Sequence, residues 1–165
     1  MGESVHDGWY SSTHTHGGKR DPTAVIGHAP EHRDWKPGDP AIHPQIDSTA
    51  RIEAFVTIDA GMQHATHVGA RAWLMKHVHV GHDATVGDDC ELAPGVVVCG
   101  HATLEAGVRM GVNSCVLPYR TIGKGARIGS GAVVTKNVPA GEVWVGNPAA
   151  PIQRHAEDRI RAISS

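Results

Sequence analysis

From Val68 to Val134 every sixth residue is aliphatic: Val68, Leu74, Val80, Val86, Leu92, Val98, Leu104, Met110, Val116, Ile122, Ile128 and Val134. Ile, Leu, Val and Met make up about a fifth of the chain. Twelve such hits by chance would be an event on the order of one in 10⁸ before a register is chosen. An α-helix buries every third or fourth residue and a lone strand every second, so neither accounts for a period of six. A short strand followed by a turn does, repeated with the aliphatic side chain pointing inward.

The neighbouring positions fit the same unit. The next residue is often glycine, as at Gly69, Gly81, Gly87, Gly111, Gly123 and Gly129. These glycines suit unusual turn dihedrals, which only glycine adopts readily. The residue four after each aliphatic is usually small: Ala72, Val78, Ala84, Cys90, Val96, Ala102, Val108, Ser114, Ala126, Ala132 and Val138, with Arg120 the exception. Three units close an 18-residue triangular coil, and stacked coils pair backbone to backbone in aliphatic ladders. The fold class expected is all-β, a parallel β-helix. Ile46, Ile52 and Ile58 keep the period, but the step from Ile58 to Val68 is ten. Four extra residues around Gln63–Thr66 should therefore bulge from one corner.

Outside the repeat the chain changes character. Residues 1–41 are rich in His, Gly, Pro and Ser and read as an extended arm that offers a surface to a protein partner. The segment NVPAGEVWVGNPAAP reads as an exit, and IQRHAEDRIRAI as a short amphipathic helix that lays Ile152, Ile160 and Ile163 against a coil or a neighbour. The domains expected are therefore 1–41 arm, 42–147 β-helix and 148–165 C-terminal helix and tail.

Charge narrows the function classes. The formal net charge is −2, from 15 basic and 17 acidic residues, which gives no electrostatic case for nucleic acid or an acidic membrane. There is no run of 18 apolar residues and no signal-peptide core near the start. Cys90, Cys99 and Cys115 form no CxxC pair and read as reduced thiols. A cytoplasmic location is the expectation.

The repeat, its small residues and the ending VVTKNVPAGEVWVGNPA resemble the hexapeptide-repeat acyltransferases over about residues 42–150. That resemblance implies left-handed winding, a homotrimer and active sites between subunits. A narrower one lies in MKHVHVGHDATVGDDCELAPGVVVCGHATLEAG. HVGHD, with Gly-His one coil later, resembles the acyltransferase that starts lipid A synthesis and the acetyltransferases of sialic acid and aminosugars. It implies His82 as general base, Asp83 as its support, and Gly100 as a backbone donor to the thioester oxygen. It also implies His79 and His101 as substrate contacts. Lys136, Asn147 and Pro148 match the exit segment that borders coenzyme A, where Lys136 reads equally as a phosphate contact or a solvated surface lysine.

The chemistry of these residues agrees. Acyl transfer to a hydroxyl or amine needs a base near neutral pKa, which histidine supplies. It also needs donors where the oxyanion develops, and a glycine backbone can come close. His82 and Gly100 are one coil apart and should stack on one corner at about 4.8 Å along the axis. Only about 15 residues follow the exit, and the lipid A enzyme has a large C-terminal domain for acyl carrier protein. Acetyl-CoA is therefore the donor expected, with a sugar or nucleotide-sugar acceptor and no metal.

Two other readings carry weight. The γ-class carbonic anhydrases share this fold and bind zinc with three histidines, two of them five apart. His77 and His82 have that spacing, with His64 or His67 as a third. A non-catalytic trimer, a rigid prism within a larger assembly such as a virion, is the other. Trp73 and Trp144 read as interface or cofactor-edge residues, Cys90 as core, and Cys99 and Cys115 as thiols without an evident base.

Overall fold

The computed structural model describes residues 20–152. Within them the chain winds as a parallel β-solenoid with three sheets and no helix. One sheet stacks Val25–His28, Thr57–Asp59, His79–Val80, Val97–Val98, Cys115–Val116 and Val133–Val134. The other two take the intervening strands, such as Thr85–Val86 over Thr103–Leu104 and Glu91–Leu92 over Arg109–Met110. From Val68 to Val134 successive strands of a sheet are one coil of 18 residues apart, so Val80 pairs with Val98 and Val98 with Val116.

All twelve aliphatics of the repeat are buried, and they form three ladders. Val68, Val86, Leu104 and Ile122 make one, Leu74, Leu92, Met110 and Ile128 the second, Val80, Val98, Val116 and Val134 the third. Each fully buried Val, Leu or Ile side chain contributes roughly 1.5–3 kcal/mol of transfer free energy. The small residues four positions on are buried too, and Arg120, which breaks that series, lies only half-buried.

The glycines do something other than expected. Gly69, Gly81, Gly87, Gly111, Gly123 and Gly129 do not take positive φ. A Cβ on Gly81 would sit 2.8 Å from the backbone nitrogen of Gly100 on the next coil. These residues are glycine because the coils approach too closely for a side chain. The left-handed conformation falls two residues later, at Arg71, His77, Asp83, Asp89, His101, Asn113 and Tyr119, with Gly95, Gly107, Gly125 and Gly131 in the same series. Asp, Asn and Gly suit that region best.

The ten-residue step is where the expectation put it. Ile46 pairs with Val68, 22 positions on, and Thr57 with His79, so residues 60–66 loop out of the corner. The ends differ from expectation. Within the supposed arm, Val25–His28 forms a strand paired with Thr57–Asp59 and heads the first sheet. Trp144 pairs with Ile128, is 8% exposed and closes the core. Ala150–Pro151 returns antiparallel against it. Of the expected C-terminal helix, residues 153–165 lie outside the described residues, as do residues 1–19 of the arm.

Candidate active site

The corner that carries Asp83 and His101 opens on a cavity of about 410 Å³. His79, His82, Gly100 and His101 line it, together with Gly81, Glu31, His32, Asp59, Val97, Cys99, Pro118 and Tyr119.

Coil stacking brings the pair together. His101 donates its backbone N–H to the His82 carbonyl at 3.0 Å, which locks Gly100 beside His82. A Cβ on Gly100 would lie 2.6 Å from His82 Nε2, so only glycine leaves room for the ring. The Gly100 N–H has no hydrogen-bond partner among the described residues. With no side chain on Gly81 to cover it, this donor stays open.

His82 is 7% exposed, and its Nδ1 lies 2.8 Å from Asp83 Oδ2. Asp83 in turn is gripped by the bulge. Its carboxylate accepts the backbone N–H groups of Met62 at 3.1 Å, Gln63 at 2.8 Å and His64 at 2.8 Å. Its own N–H donates to Thr66 Oγ1 at 3.0 Å. Burial alone would raise this carboxyl. The hydrogen bonds from His64, His82, Gln63 and Met62 outweigh that and hold it well below the usual carboxylate range. Asp83 is therefore ionised, and His82 carries its proton on Nδ1. The other ring nitrogen, Nε2, lies against Gly100. The bulge foreseen as a surface irregularity is a nest of amides built around the carboxylate.

The other histidines surround this pair. His101 stacks flat on Tyr119 with ring centroids 4.5 Å apart and meets His82 edge-on at 5.1 Å. Burial, opposed by Asp83 and assisted by the rings of His82, His64 and His32, lowers its pKa. His32 also packs edge-on against His82, at 5.3 Å. His79 Nδ1 is 2.8 Å from the Thr57 hydroxyl.

Other candidates lie elsewhere. His77 stacks on the exposed Phe55 at 5.1 Å and does not line the cavity, so the chain does not unite His77 with His82. Lys136, Asn147 and Pro148 are exposed and also do not line it. Cys99 lines it, but burial raises its thiol pKa, which disfavours the thiolate. Cys90 is buried core, with its thiol pushed up to about 11 by burial. Two groups have ligand atoms close enough for a metal: His64, Asp83 and His101, and Glu31, Asp59 and His79. In the first, the Asp83 oxygens are already taken by amides and by His82.

Sequence reasoning missed Glu31, His32, Asp59 and Tyr119. Tyr119 is one coil beyond His101, so extending the 18-residue step finds it. Asp59 follows inward Ile58 and needs the bulge counted: Thr57 meets His79 after 22 residues, not 18.

Residues 65–100 match the bacterial transferase hexapeptide (six repeats) family. The UDP-3-O-acylglucosamine N-acyltransferase of Caulobacter sp. (strain K31) is 38% identical over 103 residues, covering 62% of this chain and 30% of that protein. The crystal structure of UDP-N-acetylglucosamine O-acyltransferase from Moraxella catarrhalis RH4 superposes with a TM-score of 0.78 at 30% identity, over 88% of this chain and 57% of that one. A perosamine N-acetyltransferase mutant from Caulobacter crescentus, solved with CoA and GDP-perosamine, gives a TM-score of 0.55 at 26% identity, over 68% and 56%. The chain thus spans between about a third and somewhat over half of these proteins. Its fold is the left-handed β-helix of those acyltransferases, since a coil of opposite hand would not superpose over most of its length.

Proposed function

We propose that this hexapeptide-repeat chain is an acyltransferase that moves an acyl group from a CoA thioester, acetyl-CoA being the expected donor, to a hydroxyl or amine of a nucleotide-linked sugar. One observation carries the reading: His82, oriented through Nδ1 by an ionised Asp83, holds its Nε2 against Gly100, whose backbone N–H has no partner among the described residues. That is a base beside an oxyanion donor, the pair acyl transfer requires. The relatives named as sugar acyltransferases, and the one solved with CoA and GDP-perosamine, support the substrate classes.

In this reading the acceptor O–H or N–H gives its proton to His82 Nε2 as its heteroatom attacks the thioester carbon. The carbonyl oxygen takes the negative charge and accepts the Gly100 N–H. Asp83 stabilises the imidazolium through Nδ1–H without taking the proton. Collapse of the tetrahedral intermediate breaks the carbon–sulfur bond. The CoA sulfur leaves with the proton from Nε2, and the ester or amide remains on the sugar. His101, kept neutral by burial, serves as a hydrogen-bonding wall rather than a second charge. His79 contacts the acceptor, and Lys136, Asn147 and Pro148 are assigned to coenzyme A, with the Lys136 cation meeting a phosphate. The working unit proposed is a homotrimer.

The test is acceptor-dependent thiol release. The protein is incubated with acetyl-CoA or longer acyl-CoA and with UDP-N-acetylglucosamine or GDP-perosamine, and products are read by mass spectrometry. Release of CoA only when an acceptor is present is the result expected. If no thioester is consumed and calorimetry shows no CoA binding, a non-catalytic trimer is the better description.

A further inference from the structure

Asp59 has no part in the chemistry above, yet it is placed as if it had a task. It is 2% exposed, and its Oδ2 has no hydrogen-bond partner among the described residues. An unpaired buried carboxylate oxygen is costly unless something supplies a proton or a charge. Burial raises the Asp59 pKa, against the opposing pull of His79. The unpaired oxygen stands 3.9 Å from His79 Nε2, and both side chains line the His82 cavity. Glu31, from the segment that follows the Val25–His28 strand, joins them, with the three ligand-capable atoms all within 4.8 Å of one another. His79 is not free to swing toward Asp59, because Thr57 holds its Nδ1.

Spacing selects what fits between them. Donor atoms around a transition-metal ion at bonds of about 2.0–2.2 Å stand about 3.0–3.6 Å apart. Around a hydroxyl or amine held by hydrogen bonds of about 2.8 Å they stand about 4–4.6 Å apart. The 3.9 Å separation lies nearer the second. Two carboxylates also repel phosphate, so the diphosphate of a nucleotide sugar belongs elsewhere. We infer that Asp59, with Glu31 and His79, forms an acidic subsite for a hydrogen-donating group, a hydroxyl or amine, on the sugar ring of the acceptor. This rests on the acyltransferase reading and adds to it the residue that recognises the sugar.

The decisive variant is Asp59→Asn, which keeps the volume and removes the charge. Calorimetry and steady-state kinetics use UDP-N-acetylglucosamine and GDP-perosamine as probes. Losing a hydrogen bond to a charged group should raise the Kd and KM of the recognised sugar roughly 10- to 100-fold. The KM for acetyl-CoA should stay unchanged, and Tm should hold or rise because an unpaired buried charge is gone. Glu31→Gln, at an exposed position, should shift the sugar KM the same way by less. Sugar affinity and turnover equal to wild type in Asp59→Asn overturn the subsite while leaving the acyltransferase reading intact. Binding of neither probe by the wild-type protein, with no thiol release, defeats that reading, and the subsite falls with it. Elemental analysis that finds one divalent metal per chain in the wild type, absent from Asp59→Asn, overturns the subsite in favour of a metal site.

Discussion

Gly100→Ala is the smallest change that separates the site from the scaffold. The added Cβ would lie 2.6 Å from His82 Nε2, 2.8 Å from Cε1 and 3.1 Å from Cδ2. Carbon–nitrogen contacts are comfortable near about 3.5 Å, so the ring must retreat by about 1 Å. It cannot retreat freely. Asp83 holds Nδ1, and the rings of His32 and His101 flank it. A misplacement of about 1 Å costs on the order of 10²-fold in rate. The backbone at Gly100 is outside the positive-φ region, so alanine fits the chain itself. Stability should change by no more than about 1 kcal/mol, equivalent to about 2–4 °C in Tm for a chain of this size. The assay is kcat/KM with Tm measured on the same preparation. Gly111→Ala is the control. Its Cβ would meet the Ser130 backbone nitrogen at 2.5 Å, where nothing flexible can yield. It should lower stability by on the order of 1–3 kcal/mol and leave kcat near wild type. A Gly100→Ala protein with full activity would refute the claim that His82 works from the position it occupies.

The remaining expectations concern the bulge and the histidines. Deleting residues 63–66 restores a six-residue step and should leave a β-rich circular dichroism spectrum. With the amide nest gone, Asp83 no longer orients His82, and activity should fall at least as far as in Gly100→Ala; unchanged activity would show the nest to be idle. Acid titration of stability has a definite sign. His101 has a folded pKa below its ordinary 6.5, so below that pH the unfolded chain binds a proton that the folded chain refuses. Its contribution is fully present above pH 6.5 and is lost as pH falls toward the folded value. Asp83, also depressed, contributes above pH 3.8 and loses that contribution only in stronger acid. His101→Asn, which tolerates the left-handed backbone, should flatten the loss that begins just below pH 6.5 in a pH series of thermal melts.

Most of the fold is legible because each coil repeats one inward aliphatic, so register follows from counting. The bulge is legible by the same count, as a step of ten between Ile58 and Val68. What it does is not legible. Nothing in Met62, Gln63 and His64 advertises that their amides converge on a carboxylate, because backbone donors carry no sequence signature. The glycines after each aliphatic are visible but invite the wrong reason, since dihedral freedom and close approach call for the same residue. The true left-handed series is visible in hindsight as mostly Asp, Asn, Gly and His at steps of six, with Arg71 and Tyr119 breaking the pattern. Val25–His28 escaped because a first strand has no earlier coil to repeat. His82 and Gly100 could be paired by their spacing of one coil, with Asp83 beside His82. Asp59 could not, since its neighbourhood crosses the bulge and its distinguishing mark, an unpaired buried oxygen, exists only in three dimensions.

The most direct test of the central claim is the turnover of His82→Ala against wild type, with acetyl-CoA and the acceptor identified by thiol release, at matched Tm. Loss of the base should lower kcat by about 10²–10⁴-fold, with acetyl-CoA binding retained in calorimetry. An undiminished rate in a folded His82→Ala protein would contradict the account, and the base would have to be sought elsewhere on the chain.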